Sequence, residues 1–197
     1  MPFDYEALVG YLYVVGGRSI SAPPPGTLVE IAPKKAARGR ETDTFLTLVI
    51  PSGETVAPAA FYEEMARTGA DQYFSSTGSV TAGIKTVFTH LNTHLHEHNS
   101  TDPRHYEASM ICAVVRGSDL YVGKVGSGVG MFLRDGDVQP FPTDFSYRDA
   151  LHTPPLGVQI EPEIRMGRYQ VNAGARLLLS DSALLDYSTD KLKEALA

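Results

Sequence analysis

The chain has 197 residues, of which 43% are hydrophobic and 20% are charged. This balance is typical of a globular protein rather than a disordered one, and the length suits one domain with one core. The net charge of -6, from 17 basic and 23 acidic residues, disfavours a general nucleic-acid binder, because neutralising phosphates requires a basic surface.

The single cysteine, Cys112, excludes an intramolecular disulfide, and its apolar neighbours over residues 111–115 indicate a buried, unreactive thiol. No basic segment followed by an apolar run marks a signal peptide at the N-terminus. No stretch approaches the roughly 20 apolar residues that a membrane span requires. We therefore expect a cytoplasmic protein without a membrane partner.

Short apolar runs separated by turn-forming residues occupy the first 50 positions. They predict strands over residues 7–15, 27–31 and 45–50. The third run is apolar on both faces, which indicates a central strand, and it stops at Pro51-Ser52-Gly53.

Two helices are predicted between residues 55 and 98. The first covers residues 59–67, with Pro58 compatible with its first turn. The second is clearer, because apolar residues recur at spacings of three and four from Val80 to Leu95 and form one stripe. Asn99 and Pro103 supply its stop signal.

Four further strands form a predicted meander, over residues 110–115, 119–125, 130–134 and 138–141. Asp135-Gly136 is a strong hairpin signal between the last two. The glycine-dense segment 126–130 lacks the Lys-Ser/Thr ending of a phosphate loop and is flanked by strand sequence, so it indicates a tight strand connection.

An irregular stretch through Gly157 precedes the last elements, which are strands over residues 163–171 and 176–180 and a short helix after Asp181. The chain ends in a predicted helix over residues 192–197 without a stop signal, which is compatible with a C-terminally truncated fragment of a longer protein. Strands, then two helices, then more strands predict an α+β domain with helices packed on antiparallel sheet.

Several segments, read in order, resemble the type-2C (PPM) metal-dependent Ser/Thr protein phosphatases. Residues 120–136 are similar to a strand ending in Val-Gly-Asp-Ser-Arg, a second strand and its turn. Residues 172–186 are similar to Gly-Asp-x-Leu-Leu-Leu-x-Ser-Asp-Gly-Leu-x-Asp, and residues 45–53 to the strand ending in Ala-Asp-Gly. The resemblance implies one domain over residues 1–197: an antiparallel β-sandwich flanked by helices, with carboxylates holding two divalent metals at one edge.

The acidic residues that such a metal centre needs are largely missing. The family's central metal Asp falls on Pro51 or Ser52, and the Asp of Val-Gly-Asp-Ser-Arg falls on Ser127. Asp181 matches a family metal ligand, although a cap on the following helix is the alternative interpretation. Hard cations such as Mg²⁺ and Mn²⁺ need several oxygen ligands, so these substitutions predict a degenerate site.

Asp43 is a second candidate metal ligand. One alignment places the family's Asn-Glu-Asp motif on residues 41–43 and keeps Asp43, but it leaves too little spacing before the next strand. The alternative places the motif near residues 21–23 and keeps no acid there, and we prefer it.

Three histidines, His90, His94 and His98, recur every four residues along one edge of the long predicted helix. Such spacing can bind Zn²⁺, whereas surface histidines without a metal role are the other interpretation.

We therefore expect a pseudophosphatase, which is a phosphatase-like domain that has lost catalysis and serves binding or regulation. Its partner would be a protein, which is phosphorylated in one form of this hypothesis. No cofactor is expected. The alternative is a divergent Mg²⁺- or Mn²⁺-dependent Ser/Thr phosphatase whose missing ligands come from a C-terminal segment. In either case no nucleic-acid partner is expected.

Overall fold

The computed structural model of the chain describes residue 5, residues 7–143 and residues 147–196. The strands in this part are β1 Tyr13–Val15, β2 Arg18–Ile20, β3 Thr27–Ile31, β4 Thr44–Ser52, β5 Glu107–Arg116, β6 Asp119–Val125, β7 Val129–Arg134, β8 Asp137–Phe141, β9 Arg165–Gln170 and β10 Arg176–Ser180. The helices are α1 Ala59–Ser75, α2 Val80–Thr101, α3 Tyr147–His152 and α4 Thr189–Leu196, with a 3-10 turn over Ser182–Asp186.

Two antiparallel sheets form a sandwich. The larger sheet has the order β3-β4-β5-β6-β9 and the smaller one the order β10-β7-β8, while β1 and β2 form a separate hairpin. The predicted α+β class and antiparallel sandwich are confirmed. The predicted meander is corrected in one respect: β5 and β6 belong to the larger sheet, whereas β7 and β8 belong to the smaller one.

Both faces of the larger sheet are buried. Successive side chains along each strand point to opposite faces, and each face packs against its own apolar layer. Helices α1 and α2 cover its outer face, where Phe45, Met110 and Cys112 are buried in one core cluster. The smaller sheet covers the inner face, where Ile111 and Phe132 belong to a second cluster. Cys112 is completely buried, as its apolar neighbours predicted.

Three predicted elements differ from the structure. The first strand was predicted over residues 7–15, but only its last three residues form a strand, β1. Residues 7–12 have no strand partner in the described part, and Leu8 and Leu12 are largely exposed. Helix α1 continues eight residues past the predicted end, to Ser75, because Ala70 and Tyr73 extend its buried face. The stretch predicted to be irregular contains α3, a single short helix.

Within the described residues, no helix combines the length and the apolar character that crossing a membrane would demand.

Candidate functional site

The edge predicted to carry the metal site is where β4, β6 and β10 end. Ser52 is the last residue of β4, Ser127 follows β6, and Asp181 follows β10, which ends opposite the first residue of β7. Ser109, on β5, lies between the first two. The fold therefore brings the positions matched to the family's acidic residues to one edge of the sandwich, and two of the three are serine.

These serines form a hydrogen-bonded cluster, hereafter the serine cluster of Ser52, Ser109 and Ser127. The Oγ atoms of Ser52 and Ser109 are 2.8 Å apart, and those of Ser127 and Ser109 are 3.1 Å apart. Two backbone N–H groups join it: that of Ser127 donates to Ser109 Oγ at 2.9 Å, and that of Ser109 donates to Ser52 Oγ at 3.1 Å.

The directions of these bonds follow from the capacity of a hydroxyl, which has one hydrogen and two lone pairs. Ser109 Oγ accepts from both the backbone and the hydroxyl of Ser127, so its own hydrogen goes to Ser52. Ser52 Oγ then accepts twice, and its hydrogen has only a long 3.5 Å contact to the Ile50 carbonyl.

The serine cluster therefore offers little to a metal ion. Both lone pairs of Ser52 and of Ser109 are engaged, and Ser109 is only 1% exposed. Neutral hydroxyls also lack the charge with which carboxylates compensate two dications. The arrangement instead closes the edge with a connected set of short polar contacts between strands β4, β5 and the segment after β6.

Two further charged residues lie at or near this edge. The carboxyl carbon of Glu107 lies 2.8 Å from the point where a Cβ would stand on Gly53, whose φ of +75° also favours glycine. Lys124 is completely buried and pairs with Ile111 across β5 and β6. Sequence reasoning missed Ser109, Glu107 and Lys124, because they belong to strands whose register is set by long-range pairing.

Asp181 is the N-cap of the 3-10 turn that follows it. Its Oδ1 accepts a hydrogen bond from the backbone N–H of Ala183 at 3.0 Å, which satisfies one of the free donors at the start of the turn. The side chain is exposed at the sandwich edge. The capping interpretation describes its contacts, and its role as a metal ligand stays a prediction.

Asp43 lies in a buried charge network of four residues. Arg116 donates two hydrogen bonds of 2.6 Å to its carboxylate, from Nε to Oδ1 and from Nη2 to Oδ2. The Tyr73 hydroxyl also donates to Oδ2 at 2.6 Å. Arg40, completely buried, lies 3.7 Å from the same oxygen. Burial, followed by the bond to Asp43, raises the pKa of Tyr73, which keeps that phenol a hydrogen donor.

Asp43 and Asp181 do not converge on one site. Asp43 immediately precedes β4, whereas the serine cluster lies at the other end of that strand, about 30 Å away for nine extended residues. No group of three or more His, Cys, Asp or Glu residues in the described ranges is arranged to hold a metal ion. The pairing of Asp43 with Asp181 in one metal centre is therefore not supported by the geometry.

The predicted row of histidines divides into two parts. His90 and His94 have ring centroids 4.4 Å apart with an interplanar angle of 70°. His98 instead stacks on Tyr106 at 5.5 Å and 7°, with its Nε2 buried and without a hydrogen-bond partner among the described residues. Partial burial, and secondarily the neighbouring His94, lower the pKa of His90.

Comparison with solved structures shows that the fold is that of type-2C serine/threonine phosphatases. The chain is similar to PppA, a key regulatory component of the T6SS in Pseudomonas aeruginosa, with a TM-score of 0.64 and 16% identity over 88% of this chain and 77% of that one. It is also similar to the catalytic domain of the phosphatase PstP in complex with two manganese ions, with a TM-score of 0.57 and 18% identity over 87% and 77%.

A third similar structure is the phosphatase Stp1 from Staphylococcus aureus, with a TM-score of 0.60 and 12% identity over 95% of this chain and 84% of that one. No protein-family model matches the chain, and no curated protein matches it. The resemblance inferred from the order of weak motifs is thus confirmed at the level of the fold.

Proposed function

We propose that this chain is a pseudophosphatase: a type-2C phosphatase-like domain that binds a protein partner and no longer hydrolyses phosphoesters. The serine cluster supports the proposal, since it contains Ser52, which with Pro51 is matched to the family's central metal Asp, and Ser127, which is matched to the Asp of Val-Gly-Asp-Ser-Arg. Two-metal phosphoester hydrolysis depends on carboxylates that hold both cations and a bound water. A hydroxyl cluster whose lone pairs are largely engaged does not supply that charge.

A regulatory, protein-binding role is consistent with the likeness to PppA, which is described as a key regulatory component of T6SS. In one version of the proposal the partner segment is phosphorylated. Glu107 at the site and the exposed Asp181 place negative charge near this edge, whereas Lys124 is completely buried and does not face a ligand at the surface. A phosphate bound without metal would therefore meet repulsion. We therefore favour recognition of an unphosphorylated surface.

The first test is hydrolysis of p-nitrophenyl phosphate and of a phosphothreonine peptide, each with Mn²⁺ or Mg²⁺. We expect rates equal to those of the metal ion alone. Turnover by the wild-type chain that is lost in Asp181→Asn would refute the proposal and support the alternative, a divergent Mg²⁺- or Mn²⁺-dependent phosphatase. That alternative is favoured by the likeness to manganese-bound PstP, and it would need ligands from beyond residue 197.

A gain-of-function variant tests the reason for the loss. Replacing Ser52 and Ser127 together by Asp introduces two carboxylates at the edge where β10 leads into Asp181, and we expect saturable Mn²⁺ binding by calorimetry that the wild type lacks. Thr55→Asp is the control, because it adds negative charge to an exposed position near the same edge. Equal Mn²⁺ binding by the wild type and the double variant would show that the two serines are not the cause.

A further inference from the structure

Helix α2 carries a pair of imidazoles, those of His90 and His94, beside its buried face. His90 and His94 are one helical turn apart, and their ring centroids are 4.4 Å apart. His94 is exposed and His90 is half-buried, so the pair is open to solvent on one side. We propose that His90 and His94 chelate a divalent transition-metal ion of the zinc, nickel or copper class.

The chemistry of the two side chains selects this class of ion. Neutral imidazole nitrogen suits Zn²⁺, Ni²⁺ and Cu²⁺, whereas Mg²⁺ prefers oxygen ligands. Only the neutral ring has a lone pair to donate, so chelation takes up the neutral form of both imidazoles. The His90–His94 pair thus offers nitrogen ligands, whereas the sheet edge with the serine cluster offers oxygen atoms.

The other groups on the helix explain why the site is a pair rather than a row. The ring of His98 is stacked on Tyr106 and its Nε2 is buried, so that nitrogen is not accessible to an ion in solvent. Glu97 follows His94 by three residues and His90 by seven, so it lies on the same face of α2 and is exposed. Its carboxylate adds negative charge that favours a cation at the pair. Water fills the remaining coordination positions.

The test is calorimetric titration of the untagged full chain with ZnCl₂ and with NiCl₂, with MgCl₂ as the negative ion control. We expect one saturable site for each transition ion and none for Mg²⁺. His94→Ala should weaken binding at least tenfold. His96→Ala is the matched control, because His96 is two residues away on another face of the same helix, and it should leave the affinity unchanged.

A second measurement does not depend on any variant being folded. Substoichiometric Cu²⁺ added to the wild-type chain should broaden the imidazole NMR signals of His90 and His94 before those of the other histidines. Equal affinity of wild type and His94→Ala, absence of saturable binding, or uniform broadening of all histidine signals would each overturn the proposal. Phosphatase activity is not a readout here, so these outcomes are independent of the fate of the pseudophosphatase proposal.

Discussion

Replacing Asp43 by Asn removes one negative charge from a network in which the structure places two arginines. Arg116 is partly exposed, with 32% of its side chain accessible, so it can turn toward water when its partner is lost. Arg40 cannot, because it is completely buried and packs against Gly83, where a Cβ would come within 2.3 Å of its Nη2. The variant therefore leaves a buried guanidinium without its carboxylate.

The magnitude follows from that asymmetry. Breaking a buried ion pair by removing one partner costs about 3–5 kcal/mol. Arg40 keeps hydrogen bonds to the Tyr73 hydroxyl at 2.9 Å and to the Ser79 carbonyl at 2.9 Å, which places the expected loss at the lower end, about 3 kcal/mol. Against a total stability of roughly 5–15 kcal/mol, this is a large fraction.

Urea unfolding followed by far-UV circular dichroism measures the loss, since the chain has no tryptophan. Asp119→Asn is the control: its pair with Arg168 is exposed, and we expect less than about 1 kcal/mol. A loss below about 1 kcal/mol for Asp43→Asn would refute the network argument. A loss seen only in the presence of Mn²⁺ would instead show that Asp43 holds a metal.

Three other predictions concern the core and its connections. Burial raises the pKa of Cys112 to about 12, so a disulfide reagent at pH 8 should label the chain only in denaturant; rapid labelling of folded protein would contradict this. Asn92→Ala removes hydrogen bonds to three backbone groups over residues 157–160, so the free energy of unfolding should fall by about 2–3 kcal/mol. Proteolysis of that loop should also become faster, and an unchanged cleavage rate would contradict this prediction. Gly123→Ala places a Cβ 2.6 Å from Ile84, and thermal unfolding should show a loss of stability of about 1–3 kcal/mol. Unaltered stability would show that α2 shifts to accommodate the added methyl group at little cost.

Local turn chemistry made several elements predictable from the sequence. Strands β3 and β10 have the predicted bounds, because each is preceded within two residues by a glycine with a positive φ, Gly26 and Gly174. The end of α1 was not predictable in this way. Gly69 interrupts the pattern of apolar side chains, yet it is buried in the helix against Met110, a residue of β5. Only the packed sheet reveals why glycine fits there.

Part of the serine cluster could be named from the sequence, but its completion by Ser109 could not. Likeness to acidic motifs singled out Pro51 or Ser52 and Ser127, and the structure joins Ser52 and Ser127 in one hydrogen-bonded cluster. Ser109 joins them through contacts across 57 and 18 residues of sequence, and no local pattern marks it. The same holds for Asp43, whose partner Arg116 is 73 residues away, so a short acidic motif could not be distinguished from a structural ion pair.

Asn92 anchors the turn of α2 that carries the two imidazoles. This residue lies between His90 and His94 and is 1% exposed, and its amide group binds three backbone groups of the loop over residues 157–160. The helical turn that carries the two imidazoles is thus anchored from behind before any ion arrives. Binding there needs to order only two side chains, not the backbone, so little conformational entropy is lost on chelation.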